Sequence, residues 1–272
     1  MRLEGKVAMI TGAARALGRS HALAFAREGA DLLLVDLARV PGPNPLAGRK
    51  DLETAAAACR RIGSTVVTAV ADVRSQAEVD AAVAAGIDEF GRIDILVNNA
   101  GLLVPGGVRS HEVSEEDWNL VLDVNLGGTW RCCKAVLPHM VRCRSGSIIN
   151  MGSTGSRVAF ELYSCYVASK HAVAGLTKAL ALEYGHFGIR VNTVCASTVA
   201  ADEALGTRST ADVAREMGSS LADYESRSAG QHPIGRLVTA AEVSAACLWL
   251  ASSESSGSTG SELFVDGGFT AR

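Results

Sequence analysis

The sequence predicts an α/β fold in which seven parallel strands form one doubly wound sheet. Short apolar runs alternate along the 272 residues with longer amphipathic segments, the pattern of repeated strand–helix–strand units. The strand runs are continuously apolar, as in LLLV and DILV, so we expect helices on both faces of the sheet. No proline-rich linker divides the chain, and residues 1–272 are expected to form a single domain.

The periodicity of apolar residues places each element. Short continuous runs mark strands, and apolar residues recurring every three to four positions mark helices. The predicted strands are Val7–Ile10, Asp31–Val35, Val66–Ala71, Ile93–Val97, Gly146–Met151, Arg190–Cys195 and Glu262–Val265. The predicted helices are Leu17–Glu28, Asp51–Ile62, Gln76–Phe90, Glu115–Met140, Cys165–Tyr184 and Ala240–Ala251.

Two segments interrupt this alternation. Residues 37–50 contain three of the six prolines and no periodicity, so they predict a loop insert after the second strand. Residues 198–230 are rich in Ala, Ser, Asp and Glu and break the pattern late in the chain. A long segment of this kind inside a domain is usually a functional lid or locally mobile, and we expect a substrate lid after the sixth strand.

Charge and composition exclude several function classes. The net charge is −3, without the basic excess of a nucleic-acid binder, and no apolar run is long enough to span a bilayer. The N-terminus lacks the features of a signal peptide, so we expect a cytoplasmic protein without nucleic-acid or membrane partners. The seven cysteines contain no Cys-x-x-Cys pair and the six histidines are dispersed, so no metal site is expected.

A glycine-containing turn follows the first strand. The run TGAARALG at residues 11–18 opens the first helix, so backbone N–H groups between Gly12 and Gly18 can face a pyrophosphate. Asp36 ends the second strand, where a carboxylate accepts the adenine-ribose hydroxyls and repels a 2′-phosphate. Together these features predict NAD rather than NADP, although Arg15 could reach a phosphate.

Two further strand ends carry polar or small residues. Asp72 and Val73 close the third strand, and the run NNAG at 98–101 closes the fourth. Ligands bind outside the carboxyl ends of parallel strands, so both ends are expected to flank the same crevice. Small residues at 100 and 101 would let the backbone approach a cofactor closely.

Tyr166, Lys170 and Ser153 form the most specific signal in the sequence. Tyrosine and lysine at i and i+4 share one helix face, and an ammonium near a phenol lowers the phenol's pKa from about 10. Tyr166 would then be a usable acid/base. Ser153 lies at the end of the fifth strand, from which its hydroxyl can enter the crevice and bind a substrate oxygen.

From Lys6 to the C-terminus the chain resembles the short-chain dehydrogenases/reductases. The matching motifs are TGAARALG, Asp36, DV at 72–73, NNAG at 98–101, Asn125, Ser153, YVASK at 166–170, RVN at 190–192 and FVDGG at 264–268. The resemblance implies a Rossmann domain that binds NAD(P) and exchanges hydride between a carbinol carbon and nicotinamide C4. It also implies a homotetramer or a homodimer.

The resemblance gives the site residues their roles. Asn125, Ser153, Tyr166 and Lys170 would be the catalytic tetrad. Ser153 would orient the substrate oxygen and Tyr166 would exchange its proton. Lys170 would hold the nicotinamide ribose and depress the tyrosine pKa, and Asn125 would keep a water in the proton relay. The implied cofactor contacts are Gly12, Arg15, Ala16, Leu17, Gly18, Asp36, Leu37, Asp72, Val73, Asn99, Ala100, Gly101, Tyr166, Lys170 and Val199.

A finer resemblance concerns the insert. Its sequence, VPGPNPLAGRKDLETA, looks like the extra segment of carveol-dehydrogenase-like members, which are grouped as mycofactocin-associated dehydrogenases. That subgroup tends to hold NAD tightly under the insert and to oxidise secondary alcohols, including terpenoid ones. The resemblance therefore implies tightly bound NAD and a role in secondary metabolism.

Four positions depart from the family pattern on the cofactor side. Ala16 replaces a glycine of the first turn, Ala196 and Ser197 replace a Pro-Gly pair, and Ala201 replaces a threonine that binds the nicotinamide carboxamide. Two accounts remain open. The insert could hold the cofactor with fewer of the usual contacts, or the scaffold could serve a redox-neutral epimerase, dehydratase or cyclase. A non-catalytic scaffold protein is a remote third reading, because no packing requirement calls for the tetrad.

The residues around Ser153 and Tyr166 are mostly apolar. We expect the substrate pocket to be formed by Leu103, Thr154, Phe160 and Tyr163. The predicted function is an NAD-dependent oxidoreductase that interconverts a secondary alcohol and a ketone on a hydrophobic, cyclic substrate.

Overall fold

Seven apolar segments pair side by side into one parallel sheet. The computed structural model describes residues 1–38, 47–103, 106–206, 209–216 and 218–271. The strands are β1 (Val7–Thr11), β2 (Asp31–Asp36), β3 (Val66–Val70), β4 (Ile95–Asn98), β5 (Gly146–Met151), β6 (Ile189–Ala196) and β7 (Glu262–Val265). Their order is β3-β2-β1-β4-β5-β6-β7, and every neighbouring pair is parallel. The predicted doubly wound α/β fold is confirmed.

Helices cover both faces of the sheet. Those in the described residues are α1 (Ala16–Arg27), α2 (Arg49–Ile62), α3 (Gln76–Phe90), α4 (Glu115–Leu122), α5 (Thr129–Cys143), α6 (Ser164–Tyr184), α7 (Ser209–Glu216), α8 (Leu221–Gly230) and α9 (Ala240–Ala251). Among the same residues, no helix combines the length and apolar character needed to cross a membrane.

Two of the element predictions need correction or completion. The predicted helix Glu115–Met140 is wrong as a single helix, because a π-helical turn at Asp123–Gly128 separates α4 from α5. Helices α7 and α8 lie within the segment 198–230, for which no helix was predicted. Residues 39–46 of the predicted insert and 207, 208 and 217 of the predicted lid lie outside the described residues.

Successive side chains of the strands pack into two separate hydrophobic cores, one on each face of the sheet. In β1, Ala8 and Ile10 pack with residues of α1, α2 and α9, whereas Val7 and Met9 pack on the opposite face with residues of α3, α5 and α6. All four side chains are at most 3% exposed. A strand buried on both faces favours apolar residues at successive positions, which explains the continuous runs in the sequence.

The strand order reverses between β1 and β4. The chain proceeds from β1 outward to β3 and then crosses back to place β4 on the other side of β1. The connections after β1 and β4 therefore leave the sheet in opposite directions and open a crevice at its carboxyl edge. This topological switch point positions the candidate site.

A buried histidine joins α1 to α9. His21 Nδ1 lies 2.9 Å from Ser244 Oγ, and its Nε2 lies 3.9 Å from Cys247 Sγ. Burial lowers the pKa of His21 from 6.5 to about 3. In the unfolded chain the His21 side chain becomes protonated near pH 6.5, whereas in the folded protein it stays neutral down to about pH 3. The contribution of His21 to stability therefore falls as the pH drops through that range.

We expect this group to remove about 2 kcal/mol of unfolding free energy between about pH 7.5 and about pH 5. Urea denaturation of the wild type and of His21→Asn at both pH values measures the effect. The variant keeps a hydrogen-bonding group near Ser244, but its side chain does not titrate in this range. Between the two pH values its unfolding free energy should therefore fall by about 2 kcal/mol less than that of the wild type. An equal acid loss in both proteins would contradict the prediction.

Candidate active site

The turn after β1 leaves backbone donors available to an anion. Gly12 has a φ of +64°, and a Cβ at this position would come within 3.0 Å of Ala100. Gly18 packs so closely on the Gly12 carbonyl that a Cβ has no space there. Helix α1 begins with no side-chain cap hydrogen bond from its N-cap residue, Arg15, and with no acidic residue in its first turn. Its first N–H groups suit a phosphate or pyrophosphate.

Ala16 adopts an unusual backbone conformation in this turn. Its φ is +49°, in the left-handed region that costs an alanine about 1–2 kcal/mol and costs glycine little. Ala16 also lines the cleft described below. The departure from the family's glycine therefore carries a local conformational cost.

Ala16→Gly is expected to raise the unfolding free energy by about 0.5–1 kcal/mol, after allowance for the extra freedom of glycine in the unfolded chain. Urea denaturation measures the change. Ala13→Gly is the matched control, since Ala13 lies in the same turn and is not among the residues with positive φ. That variant is expected to lose stability, and a loss in both variants would contradict the explanation.

Asp36 lies at the end of β2 beside this turn. Its Oδ2 accepts a hydrogen bond of 3.0 Å from the Ala14 N–H, and its Oδ1 accepts one of 3.0 Å from the Ala38 N–H. Burial raises the pKa of the carboxyl, and the two backbone N–H groups oppose the rise. The carboxylate is thus fixed in orientation, with Leu37 next to it at the edge of the sheet.

The end of β4 is tied to the turn after β1. Asn99 Nδ2 donates to the Thr11 carbonyl at 2.9 Å and to the Gly12 carbonyl at 3.1 Å. Thr11 Oγ1 in turn accepts from the N–H groups of Asn99 and Ala100, both at 3.0 Å. At the end of β3, the Asp72 carboxylate pairs with Arg74 at 2.6 Å. The crevice at the switch point therefore has a rigid wall.

Ser153, Tyr166 and Lys170 meet on the opposite wall. Ser153 follows β5, and its Oγ accepts a hydrogen bond of 3.0 Å from the Gly155 N–H. Tyr166 and Lys170 lie one turn apart on α6, and the Tyr166 side chain hydrogen-bonds to Ser153. Lys170 Nζ lies 5.6 Å from the centroid of the Tyr166 ring and donates to the Met151 carbonyl at 2.7 Å.

The electrostatics of this trio differ from the prediction. Burial raises the pKa of Tyr166, and its hydrogen bond with Ser153 opposes the rise. Burial also lowers the pKa of Lys170 from 10.5 to about 8. Burial is thus the largest influence on the pKa of both side chains.

Asn125 braces the site from the π-helical turn. Its Oδ1 accepts from the Leu102 N–H at 2.7 Å, while its Nδ2 donates to the Leu102 carbonyl and to Ser169 Oγ, both at 2.9 Å. The Asn125 carbonyl accepts from Thr129 Oγ1 at 2.7 Å. Asn125 thus connects the loop after β4 to α6, close to Lys170.

A cleft of about 560 Å³ brings these groups together. Its lining contains seven of the predicted cofactor contacts: Ala16, Leu17, Asn99, Gly101, Tyr166, Lys170 and Val199. It contains all four predicted pocket residues: Leu103, Thr154, Phe160 and Tyr163. The other predicted cofactor contacts are not part of this lining: Gly12, Arg15, Gly18, Asp36, Leu37, Asp72, Val73 and Ala100. Among these, Val73 belongs to the core instead.

The lining also includes residues that the sequence did not single out. Helix α8 contributes Tyr224, Arg227 and Ser228, and the C-terminal segment contributes Phe269. Helix α7 is tied to the loop after β6, because Thr210 Oγ1 donates to the Val199 carbonyl at 2.8 Å. One sequence signal could have located α8: Ser220 caps it by accepting the Asp223 N–H at 3.1 Å, an arrangement typical of helix starts.

No group of three or more His, Cys, Asp or Glu side chains within the described part of the chain could hold a metal ion. The side-chain donors in the cleft lining are hydroxyls, two amides, one lysine and one arginine, which suit an organic ligand.

Comparison with known proteins agrees with this geometry. The family model described as "Enoyl-(Acyl carrier protein) reductase" matches residues 12–270. An "Uncharacterized NAD-dependent oxidoreductase" of Mycobacterium tuberculosis is 45% identical over 196 residues, 71% of this chain and 70% of the relative. "Oxidoreductase UcpA" of Salmonella typhimurium is 39% identical over 276 residues, 99% of this chain and 96% of the relative.

Solved structures superpose over nearly the whole chain. The crystal structure of carveol dehydrogenase from Mycobacterium avium in complex with NAD gives a TM-score of 0.92 at 36% identity, covering 100% of this chain and 99% of that one. The structure of levodione reductase gives a TM-score of 0.90 at 30% identity and covers 99% of both chains. With the glycine turn, the Ser–Tyr–Lys trio and the parallel sheet in place, the chain belongs to the short-chain dehydrogenase/reductase family.

Proposed function

We propose that this NAD-dependent oxidoreductase interconverts a secondary alcohol and a ketone on a hydrophobic, cyclic substrate. The observation that carries the proposal is the convergence of Ser153, Tyr166 and Lys170 in one cleft with a largely apolar wall. NAD as the cofactor is supported by the NAD complex of the Mycobacterium avium relative and by the name of the Mycobacterium tuberculosis relative.

The residues present fit NAD. The uncapped start of α1 and the closely packed Gly12 and Gly18 suit the pyrophosphate, and the oriented Asp36 carboxylate suits the hydroxyls of an adenine ribose. When bound, NAD supplies the acceptor for the hydride of the carbinol carbon. All of the cofactor contacts named from the sequence stay predictions.

In alcohol oxidation each side chain of the tetrad would have a separate role. Ser153 Oγ holds the substrate oxygen, and Tyr166 Oη takes its proton. Lys170 Nζ, with a pKa lowered to about 8 by burial, would hold a ribose hydroxyl. Asn125 holds the loop at Leu102 against α6 and so fixes the distance between the two walls.

The apolar character of the wall supports a hydrophobic substrate. Leu102, Leu103, Phe160, Val213 and Phe269 all line the cleft. The Phe160 and Phe269 rings meet edge to face, with centroids 6.3 Å apart, and form an apolar corner of the cleft wall. We propose the segment 198–230, with α7 and α8, as the lid that selects the substrate.

Two measurements test the proposal. The first is mass spectrometry of any nucleotide released by denaturing the purified protein, where we expect NAD or NADH near one per chain. The second is turnover of a panel of cyclic secondary alcohols, with an artificial electron acceptor that reoxidises NADH whether the nucleotide is bound or free. A sugar-like substrate with a higher kcat/KM than every cyclic alcohol would contradict the substrate class.

A redox-neutral reaction is the second candidate. It is favoured by the departures at Ala196, Ser197 and Ala201, which alter the cofactor wall while the tetrad is intact. In that case product would form without a net change in absorbance at the nicotinamide band.

We also propose a homotetramer, or a homodimer, built on α4, α5 and α6. Trp118 and Trp130 are 39% and 46% exposed there and flank or line a surface depression of about 1020 Å³. Large exposed aromatic side chains are enriched in subunit interfaces. Light scattering is expected to give a multiple of 28.2 kDa, and Trp130→Glu to lower the mass. The cytoplasmic location and the role in secondary metabolism stay predictions.

A further inference from the structure

A serine and a buried histidine form a pair on the cleft wall that the proposed reaction does not use. Ser197 follows β6 directly and lines the cleft, while His232 lies just after α8 and is only 3% exposed. Ser197 Oγ lies 2.8 Å from His232 Nε2. The residues are 35 positions apart in sequence, so the fold alone brings them together.

The hydrogen bonds of the ring determine the direction of this contact. His232 Nδ1 lies 2.7 Å from the carbonyl oxygen of Ser228, which can only accept, so Nδ1 carries the hydrogen. In the neutral ring Nε2 then has a lone pair, and the Ser197 hydroxyl donates to it. With its hydrogen committed to His232, Ser197 Oγ presents only lone pairs to the cleft. It is a fixed acceptor.

The pair is anchored to the part of the cleft formed by α8 and the C-terminal segment. The His232 ring packs on Phe269 with centroids 5.6 Å apart, and Phe269 packs on Phe160, one of the predicted pocket residues. A Cβ on Gly267 would approach His232 Cδ2 to 3.2 Å, so the ring has little room to turn. The orientation of Ser197 is therefore built in.

A fixed acceptor in the lining of the cleft favours a ligand that can donate to it. A buried polar group left without a partner costs free energy, and sites built to bind a hydroxyl discriminate against analogues that lack it. Ser153 and Tyr166 already bind the oxygen that reacts in the proposed function. The Ser197 acceptor consequently calls for a second donor on the substrate.

We propose that Ser197 is a specificity residue that accepts a hydrogen bond from a second hydroxyl of the substrate, and that His232 is its positioning residue. The substrate class is then a cyclic diol, or a cyclic hydroxy ketone in the direction of reduction. This inference rests on the proposed function and makes its substrate class more specific.

The test compares cyclohexanol with cyclohexanediols whose hydroxyls lie on adjacent, alternate and opposite ring carbons. In the wild type, kcat/KM of the best diol is expected to exceed that of cyclohexanol by about five- to tenfold, the value of one neutral hydrogen bond. In Ser197→Ala this ratio is expected to fall to about one. The matched control is Thr198→Val, which removes the hydroxyl of the adjacent lining residue and should keep the ratio.

Two His232 variants test the positioning role. His232→Leu cannot accept from Ser197 and is expected to lose the diol preference, whereas His232→Gln offers an amide oxygen and is expected to restore part of it. If His232 had a merely structural role, its substitution would lower kcat/KM equally for the diol and for cyclohexanol and leave their ratio unchanged. These two variants also carry the comparison if Ser197→Ala fails to fold.

Three outcomes would overturn the inference. A diol ratio that is the same in the wild type and in Ser197→Ala excludes a substrate contact. A five- to tenfold rise in the NADH dissociation constant of Ser197→Ala, measured by nucleotide fluorescence, with equal losses for all alcohols, would assign the hydroxyl to the cofactor. Turnover of no alcohol by the wild type would overturn the proposed function, and this inference with it.

Discussion

Tyr166→Phe is expected to lower kcat about 1,000-fold while the protein stays folded and still binds NADH. The substitution removes the phenol oxygen, which hydrogen-bonds with Ser153 and is proposed to take the substrate proton. General acid–base groups contribute about 10²–10⁴-fold to rate. Single-turnover kinetics and a fluorescence titration with NADH measure the two quantities separately.

The matched control is Tyr163→Phe, which removes a phenol hydroxyl from the same cleft lining without touching Ser153. In Tyr163→Phe we expect kcat to fall by less than tenfold. Near-wild-type turnover in Tyr166→Phe would show that another group transfers the proton, whereas loss of NADH binding would show that the tyrosine acts chiefly on the nucleotide.

Asp36→Asn is expected to reduce the preference for NADH over NADPH about a hundredfold. The charged acceptor is lost for two ribose hydroxyls, and charge-assisted hydrogen bonds are worth about 1.5–3 kcal/mol each. The repulsion against a 2′-phosphate is lost as well. Dissociation constants of both reduced nucleotides, measured by fluorescence, give the ratio.

Asp31→Asn provides the comparison for a carboxylate on the same strand. Asp31 begins β2, and its Oδ1 accepts from the Thr65 N–H at 2.8 Å, away from the carboxyl edge of the sheet. Its substitution is expected to leave the nucleotide ratio unchanged. An unchanged ratio in Asp36→Asn would instead place the adenosine elsewhere.

The parts of the fold that are buried on both faces could be predicted from the sequence. The predicted strand Asp31–Val35 ends only one residue before the end of the observed β2, because its run of three leucines and a valine is completely buried and forms a continuous apolar signal. The π-helical turn was missed for the opposite reason. Its residues Val124 and Leu126 continue the apolar pattern, and a change from α to π hydrogen bonding needs no marker residue.

In the candidate site, likewise, some features could be predicted from the sequence and others could not. Tyr166 and Lys170 are neighbours along one helix, so their spacing alone places them together. The pairing of Ser197 with His232, and the turn of Lys170 toward the Met151 carbonyl, depend on contacts between distant segments. Local spacing contains no information about such contacts. The pKa of Tyr166 is raised by burial rather than lowered, and the depth of burial of a side chain is likewise set by contacts between distant segments.

The π-helical turn makes chain length, and not only side-chain identity, a determinant of the site. Each residue of an α-helix advances the direction of its side chains by about 100°. Deleting one residue between Asp123 and Gly128 would merge α4 and α5 into one regular helix and rotate everything after the deletion by that angle. Val136 and Met140 would then swing away from the core they now fill. Asn125 would lose its hold on Leu102 in the same event. Protein engineers who exchange segments between relatives must therefore preserve the residue count of this turn, since no compensating substitution restores the phase.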